Sequence, residues 1–335
     1  MSDDAFVTGG SGFVGGALVA RLVEEGRTVR ALARSDDTAA ALSAAGAEPV
    51  RGDLADTASL AEGMRGCEVV FHLAGVNAMC LRDPAPMFRA NVEGAAHVIR
   101  AAAQAGVGRV VHTSSAAAIG EARGTIGRED SPHRGWFLSR YEESKFMGER
   151  EALAIGPALG VEVVCVDPSS VQGPGRIAGS ARLLLDLLNG RIPIVDTFLS
   201  IVDVADCTEG HLLAATRGVP GERYLLSGVT LQAGHAVALL RAETGRPRRI
   251  RRLPRAAASV TGALGGAAAT LTRRDVPICP ELVRTLLHGH RYDGSRATRE
   301  LGLSYTPIRD TIERTVAWYR SRGLLAEPEM DRRGG

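Results

Sequence analysis

With 335 residues, 45% of them hydrophobic and 23% charged, the chain has the balance of an ordinary globular protein and the length for about two domains. A net charge of +2 and an aromatic content of 4% give no electrostatic or stacking case for nucleic acid, so a small molecule is the expected partner. Five scattered cysteines (Cys67, Cys80, Cys165, Cys207, Cys279) form neither C-x-x-C nor a His-paired spacing, so no metal site and no disulfide framework is expected, and a reducing cytoplasm is the simplest setting.

The first strand reads as Ala5–Thr8, which leaves no room ahead of it for a signal peptide. It runs directly into Gly9-Gly10-Ser11-Gly12-Phe13-Val14-Gly15 and then a helix, Ala17–Glu25. Gly10, Gly12 and Gly15 fit G-x-G-x-x-G, where glycine permits a tight turn, close approach of a pyrophosphate and packing of helix on strand. The helix N-terminus would then face the phosphates with its dipole and free N–H groups. The second strand, Val29–Ala33, ends where the ribose 2′ oxygen of a dinucleotide lies. NAD-preferring turns usually carry an acid there, whereas this chain has Ala33, Arg34 and Ser35. A guanidinium with no carboxylate beside it favours NADP, and NAD is the lesser reading, reached if the strand runs three residues longer and brings Asp36 into play.

Further strands at Glu48–Val50, Val69–Leu73, Val110–Thr113 and Val161–Val166 alternate with helices at Ala39–Ala45, Ser59–Met64 and Met87–Ala105. This alternation predicts an α/β fold, a doubly wound parallel sheet of Rossmann type over residues 1–167, with a smaller C-terminal substrate lobe. Regularity breaks at Pro168 and Gly173-Pro174-Gly175, after which a helix is expected at Ala181–Asn189. A strand Phe198–Val202 and helix Asp203–Thr216 read as a return to the first domain, leaving 168–197 and 222–330 to the lobe. Such a lobe would close over the carboxyl ends of the strands and shape the pocket. The uncharged stretch Ala256–Thr272 reads as a small-residue helix too short and too polar for an integral membrane segment. The basic run Arg246–Arg255 reads as a solvated face, with docking to an acidic partner or membrane surface as its alternative, and Glu327–Gly335 as a frayed tail.

Tyr141-Glu142-Glu143-Ser144-Lys145 places a phenol and an ammonium one helical turn apart on one face. Lowering a phenol by three pKa units needs about 4 kcal/mol, and a lysine charge at about 4 Å in a partly wet site supplies a similar amount. Tyr141 is therefore expected to act as an acid/base tuned by Lys145. The strand Val110–Thr113 delivers Ser114 and Ser115 to the sheet edge that would hold the dinucleotide, and Ser115 is the preferred catalytic hydroxyl. Asn91 reads equally as an active-centre group or a buried structural one.

Taken together, these motifs resemble the extended short-chain dehydrogenase/reductase superfamily, of NAD-dependent epimerase/dehydratase type, over nearly the whole chain. Thr8–Gly15 matches its T-G-x-x-G-x-x-G, Gly52-Asp53-Leu54 its G-D-L and His72-Leu73-Ala74-Gly75 its H-L-A-A. Asn91-Val92-Glu93-Gly94, Thr113-Ser114-Ser115, Tyr141 with Lys145, and Pro168 with Gly173-Pro174-Gly175 follow in order. The resemblance implies that Ser115 holds the substrate oxygen, Tyr141 moves the proton, and Lys145 binds the nicotinamide ribose. It also implies that the cofactor is bordered by Gly9, Gly12, Phe13, Val14 and Gly15, by Asp53 and Leu54 at the adenine, by Ala74 and Gly75, and by Pro168 and Ser170 at the nicotinamide. It allows a homodimer through helices beside the one carrying Tyr141.

Two reactions fit this set: a carbonyl reductase or alcohol dehydrogenase, and a nucleotide-sugar epimerase or dehydratase. Enzymes of the second kind generally carry R-Y-F-N where this chain has Asp167-Pro168-Ser169-Ser170, which speaks against a sugar nucleotide. Apolar residues near Tyr141 (Trp136, Phe137, Leu138) and after the fourth strand (Val76, Met79) suggest a hydrophobic substrate. The pattern, including Val29–Arg34, looks most like the dihydroflavonol-reductase-like and 3β-hydroxysteroid-dehydrogenase-like branch. A third reading, an NADP sensor without turnover, is disfavoured because such proteins typically lose the Tyr or Lys that this chain keeps.

Overall fold

Short β-branched runs and alanine-rich amphipathic stretches alternate along the chain, and the computed structural model, which describes residues 4–244 and 251–325, builds each run into one layer of a sandwich of helices around a sheet. The first half comprises β1 (Ala5–Thr8), α1 (Phe13–Glu24), β2 (Val29–Ala33), α2 (Asp36–Ala44), β3 (Glu48–Arg51), α3 (Thr57–Met64), β4 (Val69–His72), α4 (Ala85–Phe88), α5 (Gly94–Ala105), β5 (Arg109–Thr113), α6 (Arg140–Ala158) and β6 (Glu162–Pro168). The second half adds β7 (Ser170–Gln172), α7 (Ser180–Leu188), β8 (Phe198–Asp203), α8 (Val204–Arg217), β9 (Arg223–Leu226), β10 (Val229–Gln232), α9 (Ala233–Thr244), α10 (Arg255–Thr272), α11 (Pro280–His288) and α12 (Ile308–Ser321).

Seven parallel strands run in the order β3-β2-β1-β4-β5-β6-β9, the doubly wound sheet expected from the alternation. Alternate strand residues feed opposite layers. Val7, Phe71, Val111 and Val164 pack with Leu18 and Leu22 of α1 and Cys207 of α8, whereas Phe6, Val70, Val110 and Val163 pack with Leu60 of α3 and Ile99 of α5. Side-chain caps fix several helix starts: Ser35 accepts from the Thr38 N–H (3.2 Å), Asp56 from Ser59 (3.1 Å), Ser139 from Glu142 (3.2 Å) and Asp203 from Ala205 (2.8 Å). The Ser35 cap starts α2 at Asp36, ahead of the expected Ala39, so Asp36 lies on a helix and not at the end of β2.

One strand departs from expectation. Phe198–Asp203 does not return to the large sheet; β8 pairs parallel with β7 and antiparallel with β10 in a separate three-stranded sheet. The seventh strand is β9, whose Tyr224, Leu225 and Leu226 are fully buried, as a strand of a two-sided sheet must be, while β8 begins at an exposed Phe198 and is only part-buried at Leu199 and Ile201. Helix α8 does pack back on α1. A third core, from Leu185 and Leu188 of α7, Leu240 of α9 and Ile312, Val316 and Tyr319 of α12, holds the smaller lobe together.

The cysteines also correct the sequence reading. Cys80, in the loop after β4, is disulfide-bonded to Cys279 at the start of α11, with a Cα–Cα distance of 5.5 Å. The partners are 199 positions apart, so no local pattern announces them, and the bond removes the cysteine argument for a reducing compartment. Cys67, Cys165 and Cys207 are free and buried. Residues 246–250 of the basic run and the tail Glu327–Gly335 lie outside the described residues. Among the described residues no helix is long and apolar enough to cross a membrane, and the small-residue stretch forms α10.

Candidate active site

The carboxyl ends of β1, β4, β5 and β6 converge on one edge of the sheet, and the site is built from the turns that leave it. At β1, Gly9 adopts φ +74°, and the Gly12 N–H donates to its carbonyl at 2.9 Å. A Cβ on Gly15 would sit 2.1 Å from the Gly9 oxygen, and one on Gly9 2.6 Å from the Ala74 nitrogen. Gly9, Gly12 and Gly15 therefore form the working set, and Gly10 instead packs against Leu42 and Val19. Gly12 leaves α1 without a side-chain cap and the first turn holds no acid, so the Phe13, Val14 and Gly15 backbone forms an uncontested anion cradle. This cradle fits a dinucleotide pyrophosphate.

Around it the other expected cofactor residues take their places on the same edge. Arg34 is exposed just past β2, and the neighbouring Asp36 pairs with Arg51 at 3.0 Å. Asp53 turns the chain after β3 by accepting from Ala55 (3.0 Å), and Leu54 packs beneath Gly94 of α5. The Ala74 N–H donates to Thr8 Oγ1 (3.2 Å), which also meets His72 Nδ1 at 2.7 Å, so the β1 and β4 turns are tied together. Gly75, Pro168 and Ser170 line a cavity of about 530 Å³ together with Val14, Ser115 and Tyr141.

Asn91 braces the turns around it and also lines the cavity. A π-turn at Arg89–Glu93 aims its amide so that Nδ2 donates to the Val76 carbonyl and to Ser144 Oγ, both at 2.9 Å, while Oδ1 accepts from the Val76 N–H at 2.7 Å.

Ser115 caps a short 3₁₀ turn after β5 and hydrogen-bonds the Tyr141 phenol; Ser114 is buried with its hydroxyl unpartnered. Burial pushes the phenol up from its ordinary value, opposed by the Ser115 hydrogen bond and the Arg176 guanidinium. Lys145 stands one turn on from Tyr141 in α6. Its ammonium, on the same helix face, donates to the Thr113 carbonyl at 2.7 Å. Burial lowers Lys145 to about 8, partly offset by the charges of Glu149 and Asp167.

Sequence reasoning missed Arg176, whose guanidinium lies 5.5 Å from the Phe13 ring and which lines the cavity. It also missed Glu281 in the first turn of α11. One oxygen accepts from the Cys80 N–H (2.5 Å) and the other from the Arg140 N–H (2.9 Å), bridging the loop after β4 to the start of α6. Of the apolar residues expected near the substrate, Val76 and Met79 line the cavity, but Leu138 is buried elsewhere, Phe137 packs on His133 and Phe146, and Trp136 is exposed beneath Arg134. The apolar walls come instead from Leu183, Phe198, Leu282 and Leu286, residues of the lobe with no local motif to mark them.

A glycine turn at a helix N-terminus, with Ser, Tyr and Lys gathered at the same edge of a parallel sheet, defines an NAD(P)-binding Rossmann protein of the extended short-chain dehydrogenase/reductase type. Residues 5–227 match the NAD dependent epimerase/dehydratase family, and the chain belongs to that family. It is similar to sterol demethylase protein B of Methylococcus capsulatus, 33% identical over 335 residues that cover 95% of this chain and 99% of that protein. A 4-hydroxy-2-methyl-3-oxo-4-farnesyl-3,4-dihydroquinoline-1-oxide ketoreductase of Stigmatella aurantiaca is 34% identical over 307 residues, covering 89% and 90% of the two chains. The crystal structure of gox2253 superposes with a TM-score of 0.83 at 31% identity, covering 97% of this chain and 100% of that one.

Proposed function

We propose that the protein is an NADP-dependent carbonyl reductase or alcohol dehydrogenase for a small hydrophobic substrate. The observation that carries this reading is the hydrogen-bonded Ser115–Tyr141 pair on a largely apolar cavity that Val14, just after the glycine turn, also lines. NADPH supplies hydride when bound. Ser115 then holds the substrate oxygen, and Tyr141 gives it a proton as negative charge develops. A phenol pushed up by burial stays protonated at neutral pH, which suits donation and hence the reductive direction. Lys145 and the Phe13–Gly15 backbone hold the ribose and phosphates, and Pro168 and Ser170 flank the nicotinamide.

Arg34 supports the choice of NADP, since it stands exposed past β2 while Asp36 is drawn to Arg51 on another element. The reductase relative supports a carbonyl substrate, although the family takes its name from epimerases and dehydratases. The absence of R-Y-F-N at Asp167–Ser170 favours the reductase.

The test is NADPH consumption against a panel of hydrophobic ketones and aldehydes alongside UDP- and GDP-sugars. Net consumption with a ketone, reduced about 10²- to 10⁴-fold in Tyr141→Phe, is the expected result. Conversion of a nucleotide sugar without net consumption would move the assignment to epimerase, and no conversion in either panel would leave the non-catalytic NADP sensor. NADPH fluorescence should respond more strongly than NADH, and Arg34→Ala should erase the difference; equal affinity in the wild type would remove the NADP assignment.

A further inference from the structure

Where α11 and the segment after it meet the turn that follows Ser115 lies a polar cluster that the proposed hydride reaction does not use. Glu121 follows the 3₁₀ turn after Ser115 and is 2% exposed. His290 Nδ1 donates to its Oε1 at 2.6 Å, and His288 Nε2 lies 3.3 Å from the same oxygen. Burial alone would raise the Glu121 carboxyl, yet the two imidazoles hold it at about 2. An ionised carboxylate only accepts, so the Nδ1 proton of His290 is committed to it. The ring cannot swing away. His290 lies between His288 (4.7 Å between centroids) and Tyr292 (5.5 Å, stacked), the Tyr292 hydroxyl reaches Nδ1 at 2.9 Å, and Ser200 Oγ bonds the His290 carbonyl at 3.1 Å. His290 and Tyr292 both line the cavity, and Nε2 of His290 has no hydrogen-bond partner among the described residues.

A carboxylate that fixes one ring nitrogen and leaves the other facing a ligand cavity is the arrangement by which proteins aim an imidazole. Leu199, Leu282, Leu286 and Phe198 line the same cavity, so an oriented imidazole among them, with Ser200, Thr285 and Tyr292 as its polar company, discriminates between substrates with and without a matching oxygen. The same three side chains, Glu121, His288 and His290, are close enough to hold a metal ion. Arg134 donates to the Glu121 backbone carbonyl at 3.1 Å and pairs its guanidinium with Glu142, and whether a metal occupies the cluster is read directly in the experiment below.

We propose that His290, oriented by Glu121, recognises a second oxygen function of the substrate, a hydroxyl or carboxylate other than the oxygen on the carbon that exchanges hydride. This rests on the oxidoreductase reading and narrows its substrate class to hydrophobic carbonyl compounds that carry a second oxygen function. His290 is the binding group and Glu121 a positioning residue.

The experiment uses benzylacetone and its para-hydroxy and para-carboxy derivatives, titrated calorimetrically into the full-length protein with and without NADP. At least one oxygenated probe should bind about tenfold more tightly than benzylacetone. The ratio should fall to about one in His290→Ala, be partly kept in His290→Gln and be weakened in Glu121→Gln. A preference for the carboxylate or the hydroxyl tells which oxygen the site takes. Equal wild-type affinities, no binding of any probe, or a His290→Ala loss shared equally by all three would overturn the assignment. So would a stoichiometric metal ion in the purified protein that His290→Ala releases. Turnover is read separately: no NADPH consumption with any ketone removes the oxidoreductase reading, while the affinity ratios still decide the role of His290.

Discussion

Lys145 is 7% exposed and keeps an ammonium inside the protein at neutral pH at an energetic cost. Its pKa is about 8 in the fold against the ordinary 10.5, so between those values the unfolded chain binds more protons and stability rises with pH. The gain across that window is about 3 kcal/mol, and below it the penalty is constant. Urea unfolding at several pH values should show this rise in the wild type relative to Lys145→Met, whose own curve lacks it. At pH 7 the variant should be the more stable protein and a poor catalyst; equal pH slopes in the two would contradict the assignment. Burial of a group that catalysis needs charged is a cost typical of active sites.

At the scale of elements, the turns after β1 and β4, proposed to hold the cofactor, both depend on tight backbone contacts. Gly15→Ala should abolish NADPH binding, measured by fluorescence, because the methyl would overlap the Gly9 carbonyl. Asn91→Ala removes three hydrogen bonds between the β4 loop, the π-turn and α6, and should cost about 2–4 kcal/mol in urea unfolding. These turns were legible in the sequence because each is made within a few residues, where glycine spacing and strand–helix alternation leave a local mark. The pairing of β8 was not, since a short amphipathic strand fits either sheet until its partners exist. Nor were Glu121 and His290, 169 positions apart, whose association is created only when the lobe docks. Tyr141 and Lys145 share one helix, as their spacing indicated, but the spacing did not tell that the ammonium bonds the Thr113 carbonyl or that the Arg176 guanidinium acts on the phenol.

For the whole molecule, the Cys80–Cys279 bond staples the lobe to the cavity loop across a closed segment of 199 positions. Chain-entropy arguments give such a loop about 5 kcal/mol of stabilisation. Reduction with a dithiol, or Cys80→Ser, should lower the melting temperature by several degrees; an unchanged melt would mean that the staple adds nothing to the folded state. Glu281 works beside it without a covalent bond. One carboxylate grips the Cys80 N–H with one oxygen and the Arg140 N–H with the other, and Arg140 is the residue before Tyr141. Glu281 therefore ties α11, whose Leu282 and Leu286 line the cavity, to the cavity loop at Cys80 and to the root of α6 beside Tyr141, so that three separate stretches of chain share one carboxylate as their common knot.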